Sequence, residues 1–237
     1  MKLSILIPAY NEEKSIQELL ATVKNVNLGD IEKEIIVIDD GSKDGTKEIL
    51  RNTPNIKFIE HKKNMGKGGA IKTGIKHATG DIIIVQDADL EYNPHEIGSV
   101  IKPIIEKRAK VVYGSRFLSR KQLNRNRLFM KHHKSYLFAY LGGRMITHIT
   151  NLLFLSHLTD EPTCYKCFRS DIIKNIRIKN NGFEWEPEVT AKILKKGIKI
   201  IEVPISYNPR TIEEGKKINW KDGFKAIWTL IKYRVVN

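Results

Sequence analysis

Asp87-Ala88-Asp89 places two carboxylates at i and i+2, one residue past the apolar, β-branched run Ile82-Ile83-Ile84-Val85. Such a run reads as a strand buried on both faces. In an extended chain the side chains of i and i+2 point the same way, so Asp87 and Asp89 converge at the strand's C-terminal end. Two like charges that close repel unless a positive charge sits between them. A hard divalent cation, Mg2+ or Mn2+, with oxygen ligands completed by a diphosphate answers that need. The plain alternative is a polar turn with solvated aspartates.

Two more predicted strands end in the same manner. Leu3 to Ile7 runs into Pro8-Ala9-Tyr10, and Glu34 to Ile38 runs into Asp39-Asp40-Gly41-Ser42. A third short strand, Ile56 to Glu60, precedes the glycine-rich turn Asn64-Met65-Gly66-Lys67-Gly68-Gly69-Ala70. That turn lacks the spacing of the P-loop and of the dinucleotide fingerprint, though a helix N-terminus behind it would favour an anion.

Helices are predicted between these strands. Asn11 is the expected N-cap of a helix to about Lys24. Further helices are read from Thr46 to Arg51 and from the glycine-rich turn to His77. The order β-α-β-α-β-α-β predicts a doubly wound, mostly parallel α/β sheet with right-handed crossovers, its polar strand tips on one edge. A chain of 237 residues with 41% apolar content suits one globular domain.

The net charge of +14 points to a polyanionic partner, whether nucleic acid, an anionic membrane surface or a phosphorylated substrate. No uninterrupted apolar run approaches the roughly 18 residues of a spanning helix, and Met1 to Pro8 is too short and broken too early for a signal peptide. Cys164 and Cys167 form a single C-x-x-C without companion ligands, which reads as two reduced structural thiols in a cytosolic protein.

Past a helix from Pro94 to Arg108 and a strand from Val111 to Tyr113, the composition shifts. No Asp or Glu occurs between Glu106 and Asp160. Arg116, Arg120, Lys121, Arg125, Arg127, Lys131, His132, His133 and Lys134 lead instead into an apolar helical stretch reaching Leu158. A basic loop feeding an amphipathic helix suits peripheral contact with an anionic membrane, and equally a helix packed on the sheet. A helix around Trp185 to Lys196, a strand from Ile198 to Val203, a loop through Lys217 and an amphipathic helix from about Lys221 to Tyr233 complete the reading.

Taken in order, Pro8-Ala9-Tyr10-Asn11-Glu12, Asp39-Asp40-Gly41-Ser42 with Asp44-Gly45-Thr46, Gly66-Lys67-Gly68-Gly69-Ala70 and Asp87-Ala88-Asp89-Leu90 resemble the family-2 glycosyltransferases. The later Gly114-Ser115-Arg116, Asp160 with Pro162-Thr163, and Arg210 with Lys216 resemble the dolichyl-phosphate mannose and glucose synthases among them. The match departs where Cys164 and Lys166 stand for the usual Gly and Arg. The resemblance implies the GT-A fold across residues 1–237, with 1–115 binding the nucleotide sugar and 116–237 the acceptor. It implies Asp87, Asp89 and Glu91 as metal ligands. Pro8, Tyr10, Glu12, Asp39, Asp40, Lys67, Asp87 and Lys216 would bind the donor, and Asp89, Arg116 and Arg210 would carry catalysis.

The implied reaction moves a hexose from a UDP- or GDP-sugar to a dolichyl or polyprenyl phosphate, at the cytosolic face of a membrane. A lipid monophosphate is already a charged nucleophile near neutral pH and needs cations rather than a base. A sugar-hydroxyl acceptor would instead need a carboxylate, for which Glu184, Glu186 and Glu188 are the candidates. Nucleic acid is not an expected partner, because the basic residues form no reading motif and the acidic tips repel phosphate.

Overall fold

The computed structural model describes residues 1–119, 134–210 and 220–236. Seven strands form one sheet: β1 (Lys2–Ala9), β2 (Glu32–Asp39), β3 (Lys57–Glu60), β4 (Ile82–Val85), β5 (Val111–Ser115), β6 (Lys166–Arg169) and β7 (Ile200–Pro204). Their order across the sheet is β3-β2-β1-β4-β6-β5-β7. The first four are mutually parallel, and the register Ala9↔Asp39 and Leu6↔Val85 brings the ends of β2, β1 and β4 to one edge. The central residues of β1, β2 and β4 are buried apolar side chains, so both faces of the sheet carry helices there.

The helices are α1 (Ile16–Asn25), α2 (Thr46–Arg51), α3 (Lys67–His77), α4 (Ile97–Ile105, after a 3-10 turn at Pro94–Glu96), α5 (Lys134–Phe154), α6 (Ser170–Lys174), α7 (Trp185–Lys195) and α8 (Trp220–Val235). One core cluster packs α1 and α4 on the sheet, and a second packs α3, α6 and α7 on the other face. A third, smaller cluster joins α5, α7 and α8 through Ile146, Ala191, Ala226, Leu230 and Tyr233.

Two sequence expectations change. Helix α1 begins at Ile16, and Asn11 does not cap it. Asn11 takes a positive φ of 52°, donates its backbone N–H to Ser42 Oγ and accepts from Lys43 N, tying the first strand tip to the second. The segment after Cys164 supplies β6, which the sequence does not announce. It runs antiparallel to both β4 and β5 and is inserted between them. Its first residue, Lys166, is fully buried, so the run does not read as an apolar strand.

Candidate active site

The shared strand edge opens into a cavity of about 320 Å³. Pro8, Ala9, Tyr10 and Glu12 line it from the β1 end, Asp40 from β2, and Asp87, Ala88, Asp89 and Glu91 from β4. Gly66 and Lys67 come from the head of α3, and Arg116, Pro162, Cys164, Phe183, Tyr207 and Arg210 from the later chain. Among the described lining residues there are five carboxylates and three cations. A chain of net charge +14 thus keeps an acid-rich pocket, which repels a diphosphate unless a further cation joins it.

Asp40 builds the floor beneath the glycine-rich turn. Its carboxylate accepts from Met65 N at 2.9 Å and Gly66 N at 2.7 Å, and lies 2.7 Å from His61 Nδ1. Gly66 has φ +85°, and a Cβ there would lie 2.5 Å from the carbonyl oxygen of Asn181, so only glycine fits. Of the expected donor ligands Asp39 and Asp40, Asp39 sits outside the cavity. It is fully buried, its carboxylate receives Ser42 N at 3.3 Å, and it does not line the cavity. Adjacent strand residues face opposite sides, so Asp40 reaches the pocket and Asp39 stiffens the turn below it.

The two β4 aspartates hold different partners. Lys67 Nζ lies 2.8 Å from Asp87 and 3.1 Å from Glu186. Burial opposes the ammonium charge, but Asp87 and Glu186 outweigh it and hold the Lys67 pKa well above its ordinary value. Asp89 accepts from Glu91 N at 3.1 Å and from Arg210 at 3.1 Å. Burial, then the fields of Asp87 and Glu91, raise its carboxyl to about 7, while Arg210 pulls the other way.

Arg210 is the hub on the opposite wall. Its guanidinium grips Glu12 through two bonds of 3.0 and 3.2 Å, and Glu12 also accepts from Ser15 Oγ at 2.8 Å. The Nε of Arg210 is buried and has no hydrogen-bond partner among the described residues. The backbone that carries Arg210 is pinned by Glu91, whose carboxylate accepts from Arg210 N at 2.7 Å and Tyr207 Oη at 3.0 Å. Glu91, the expected third metal ligand, is therefore engaged by the 207–210 segment. Lys216 lies outside the described residues, as do the basic positions from Arg120 to His133.

Arg116 is braced rather than solvated. Asp160, fully buried, takes its Nε and one terminal nitrogen at 2.7 Å each, and the Pro162 carbonyl accepts at 3.2 Å. Its guanidinium sits 5.0 Å from the Tyr207 ring centre, and Tyr207 packs on Tyr92 at 5.2 Å. Tyr92, Tyr165 and Gln86 were not singled out from sequence. Tyr165 donates to Gln86 at 2.6 Å, and Gln86 in turn donates to the carbonyl of Asp87, fixing the β4 tip from below.

None of the three acids considered as a base lines the cavity. Glu188 caps Lys179 N and Asn180 N and pairs with Lys192. Glu186 is held by Lys67 and by the Cys164 thiol at 3.4 Å. Cys164 and Cys167 are both free and buried, and Cys164 also contributes to the pocket wall. Burial, with Asp87 and Glu186 nearby, pushes the Cys164 thiol well up, so it stays protonated.

The donor set suits a hard cation. Asp87 and Asp89 offer oxygen ligands and are balanced here by Lys67 and Arg210. No group of three His, Cys, Asp or Glu among the described residues could enclose an ion on its own.

Known proteins resemble this chain at both levels. A Trichomonas vaginalis dolichyl-phosphate beta-glucosyltransferase is 30% identical over 252 residues, covering 98% of this chain and 73% of that one. A Methanococcus voltae UDP-N-acetylglucosamine–dolichyl-phosphate N-acetylglucosaminyltransferase is 29% identical, covering 98% and 95%. Glucosyl-3-phosphoglycerate synthase of Mycobacterium tuberculosis, solved with Mn2+, UDP and phosphoglyceric acid, superposes with a TM-score of 0.70 at 17% identity, across 100% of this chain and 79% of its own. The fold is thus GT-A. The profile described as glycosyl transferase family 2 matches residues 4–177, and with the strand-tip motifs in place the chain belongs to that family.

Proposed function

We propose that this glycosyltransferase moves a hexose from a UDP- or GDP-sugar to a dolichyl or polyprenyl phosphate, with inversion at the anomeric carbon. The observation that carries the reading is the division of charge in the pocket. Carboxylates gather at the β1, β2 and β4 tips, braced cations stand opposite, and no Glu184, Glu186 or Glu188 carboxylate lines the cavity to serve as a base. An acceptor that arrives already ionised suits that arrangement. The names of the two sequence relatives point to the same acceptor class.

In this reading Pro8, Tyr10 and Asp40 wall the nucleoside, and residues 1–115 supply most of the donor site. Asp87 and Asp89 would hold Mg2+ or Mn2+, which when bound neutralises the departing diphosphate. Arg210 leaves Glu12 and Asp89 for the diphosphate oxygens, satisfying its orphaned Nε. Lys67 holds the Asp87 carboxylate in place. Arg116, held by Asp160 and backed by Tyr207, meets the acceptor phosphate from the 116–237 half. An acceptor phosphate oxygen forms the new bond to the anomeric carbon as the carbon–oxygen bond to the diphosphate breaks. The electron pair leaves with the nucleoside diphosphate, and one displacement inverts the centre. The acceptor places the enzyme peripherally at the cytosolic face of a membrane.

The test is incubation with labelled UDP- and GDP-sugars, Mg2+ or Mn2+, and detergent-dispersed polyprenyl phosphate. A labelled lipid product that EDTA abolishes is expected. Transfer to free sugars with no lipid product for any donor would overturn the acceptor assignment.

A further inference from the structure

Helix α8 exposes an apolar stripe where a packed helix would show polar side chains. Trp220, Phe224 and Trp228 are 72%, 69% and 66% exposed, and Ile231 and Val235 continue the line at 42% and 80%. At the helical repeat these five positions fall within an arc of about 80°. The buried face of the same helix, Ala226, Thr229, Leu230 and Tyr233, lies on the opposite side. Helix α5 repeats the pattern. Ile146, Thr147 and Thr150 are buried, whereas Leu141, Met145 and Leu152 face out, and Leu155 just beyond its end is 84% exposed. Both helices share one buried cluster with α7, so both stripes face away from that cluster.

The exposed charge bordering the α8 stripe is positive. Exposed Lys221, Lys225 and Lys232 border the α8 stripe on one flank and Arg234 on the other. Asp222 is the only acid on α8, and α5 has none. No helix among the described residues is long and apolar enough to cross a membrane. An amphipathic helix with Trp and Phe on one face and flanking Lys and Arg suits a position in the plane of an anionic bilayer, its apolar face in the acyl boundary. A second copy of this chain fits less well. A two-fold contact through this stripe would set Lys225 and Lys232 against their own counterparts, with only Asp222 to offset them.

We propose that the α8 stripe, extended by that of α5, is a membrane-docking surface for bilayers with anionic headgroups. The inference rests on the membrane placement in the proposed function and not on the sugar-transfer chemistry. The stripe is separate from the pocket, since none of its residues lines the cavity. The sequence alone set the expected contact at the basic segment and the helix that follows it, so the α8 stripe is what the structure adds.

The experiment is co-sedimentation of the full chain with phosphatidylcholine vesicles, with and without phosphatidylglycerol. It compares wild type, Trp220→Ser/Phe224→Ser/Trp228→Ser, and Lys225→Glu/Lys232→Glu. Wild type should partition onto the phosphatidylglycerol vesicles, and the triple variant at least about tenfold less. The charge variant should lose the preference for phosphatidylglycerol. Trp220 and Trp228 emission should shift to the blue on binding, with buried Trp185 as a constant background.

The three replaced side chains are exposed, so thermal melting of the triple variant should match wild type. Its transfer to detergent-dispersed polyprenyl phosphate should be unchanged, which separates failure of docking from failure of the proposed function. Vesicle binding by the triple variant equal to wild type would overturn the inference, as would no binding by wild type. Equal binding to pure phosphatidylcholine would remove the anionic headgroup from it. A wild-type dimer in vesicle-free buffer that the triple variant splits, with vesicle binding intact, would assign the stripe to a second copy.

Discussion

The guanidinium of Arg210 lies 3.1 Å from the carboxylate of Asp89 while holding both oxygens of Glu12. A cation from the end of the fold therefore stands against the β4 carboxylate that a divalent ion would claim. The proposed chemistry needs that guanidinium to change partners, from two carboxylates to a diphosphate. Arg210→Ala should lower transfer by about 10²–10³-fold, the scale of losing one charge-stabilising group. Arg210→Lys should recover little, because an ammonium lacks the two-pronged fork that fits both Glu12 and a diphosphate. Steady-state rates for the three proteins check this.

Asp89 gives a pH-dependent stability. Its carboxyl is raised from 3.8 to about 7 by burial and by Asp87 and Glu91. Between those values the unfolded chain has released the proton and the folded chain retains it. Stability in EDTA should therefore be fully present below about pH 4 and fall as pH rises towards 7. Asp89→Asn should flatten this slope and melt a few degrees (about 2–4 °C) above wild type at pH 8, yet transfer no sugar. Melting curves from pH 4 to 8 test it.

Lys67 is the counter-charge for two buried acids, Asp87 and Glu186. Removing one partner of such a group leaves the others uncompensated, at a cost of about 3–5 kcal/mol. Lys67→Met should be destabilised on that scale in denaturant unfolding. Adding Asp87→Asn and Glu186→Gln to it should restore much of the loss, because no charge is then left unpaired.

Glu186→Gln distinguishes the two acceptor classes. An ionised acceptor needs no base, and the amide keeps an oxygen for Lys67. Transfer to polyprenyl phosphate should then fall by less than about tenfold. Near-complete loss, with kcat reduced and the donor KM unchanged, would restore the reading in which a hydroxyl acceptor is activated by this carboxylate.

Much of the donor side was legible because its signals are local. β1, β2 and β4 carry the apolar runs Ile5-Leu6-Ile7, Ile35 to Ile38 and Ile82 to Val85, each followed within two residues by Pro or Asp, the pattern of parallel strands buried on both faces. The same runs place Pro8, Asp40, Asp87 and Asp89 on one edge. What sequence hides is pairing across distance. Arg116 reads as a solvated cation until Asp160 appears beside it, and Arg210 meets Glu12 from 198 positions away. The β6 strand stayed hidden because Lys166 is buried over the Tyr113 ring, 3.9 Å from its centre, where a lysine predicts solvent. Asp39 and Asp40 part ways because alternation sends neighbouring carboxylates to opposite sides, and the motif does not say which one lines the cavity.

Calorimetric titration of UDP and GDP, with Mn2+ and then with EDTA, tests the central claim most directly. One of the two nucleotides should bind tightly with Mn2+ and at least about tenfold more weakly in EDTA, and Asp89→Asn should bind weakly in both. Equal affinity with and without the metal, or wild-type affinity in Asp89→Asn, would contradict an acid-tipped cleft that needs a cation to accept its donor.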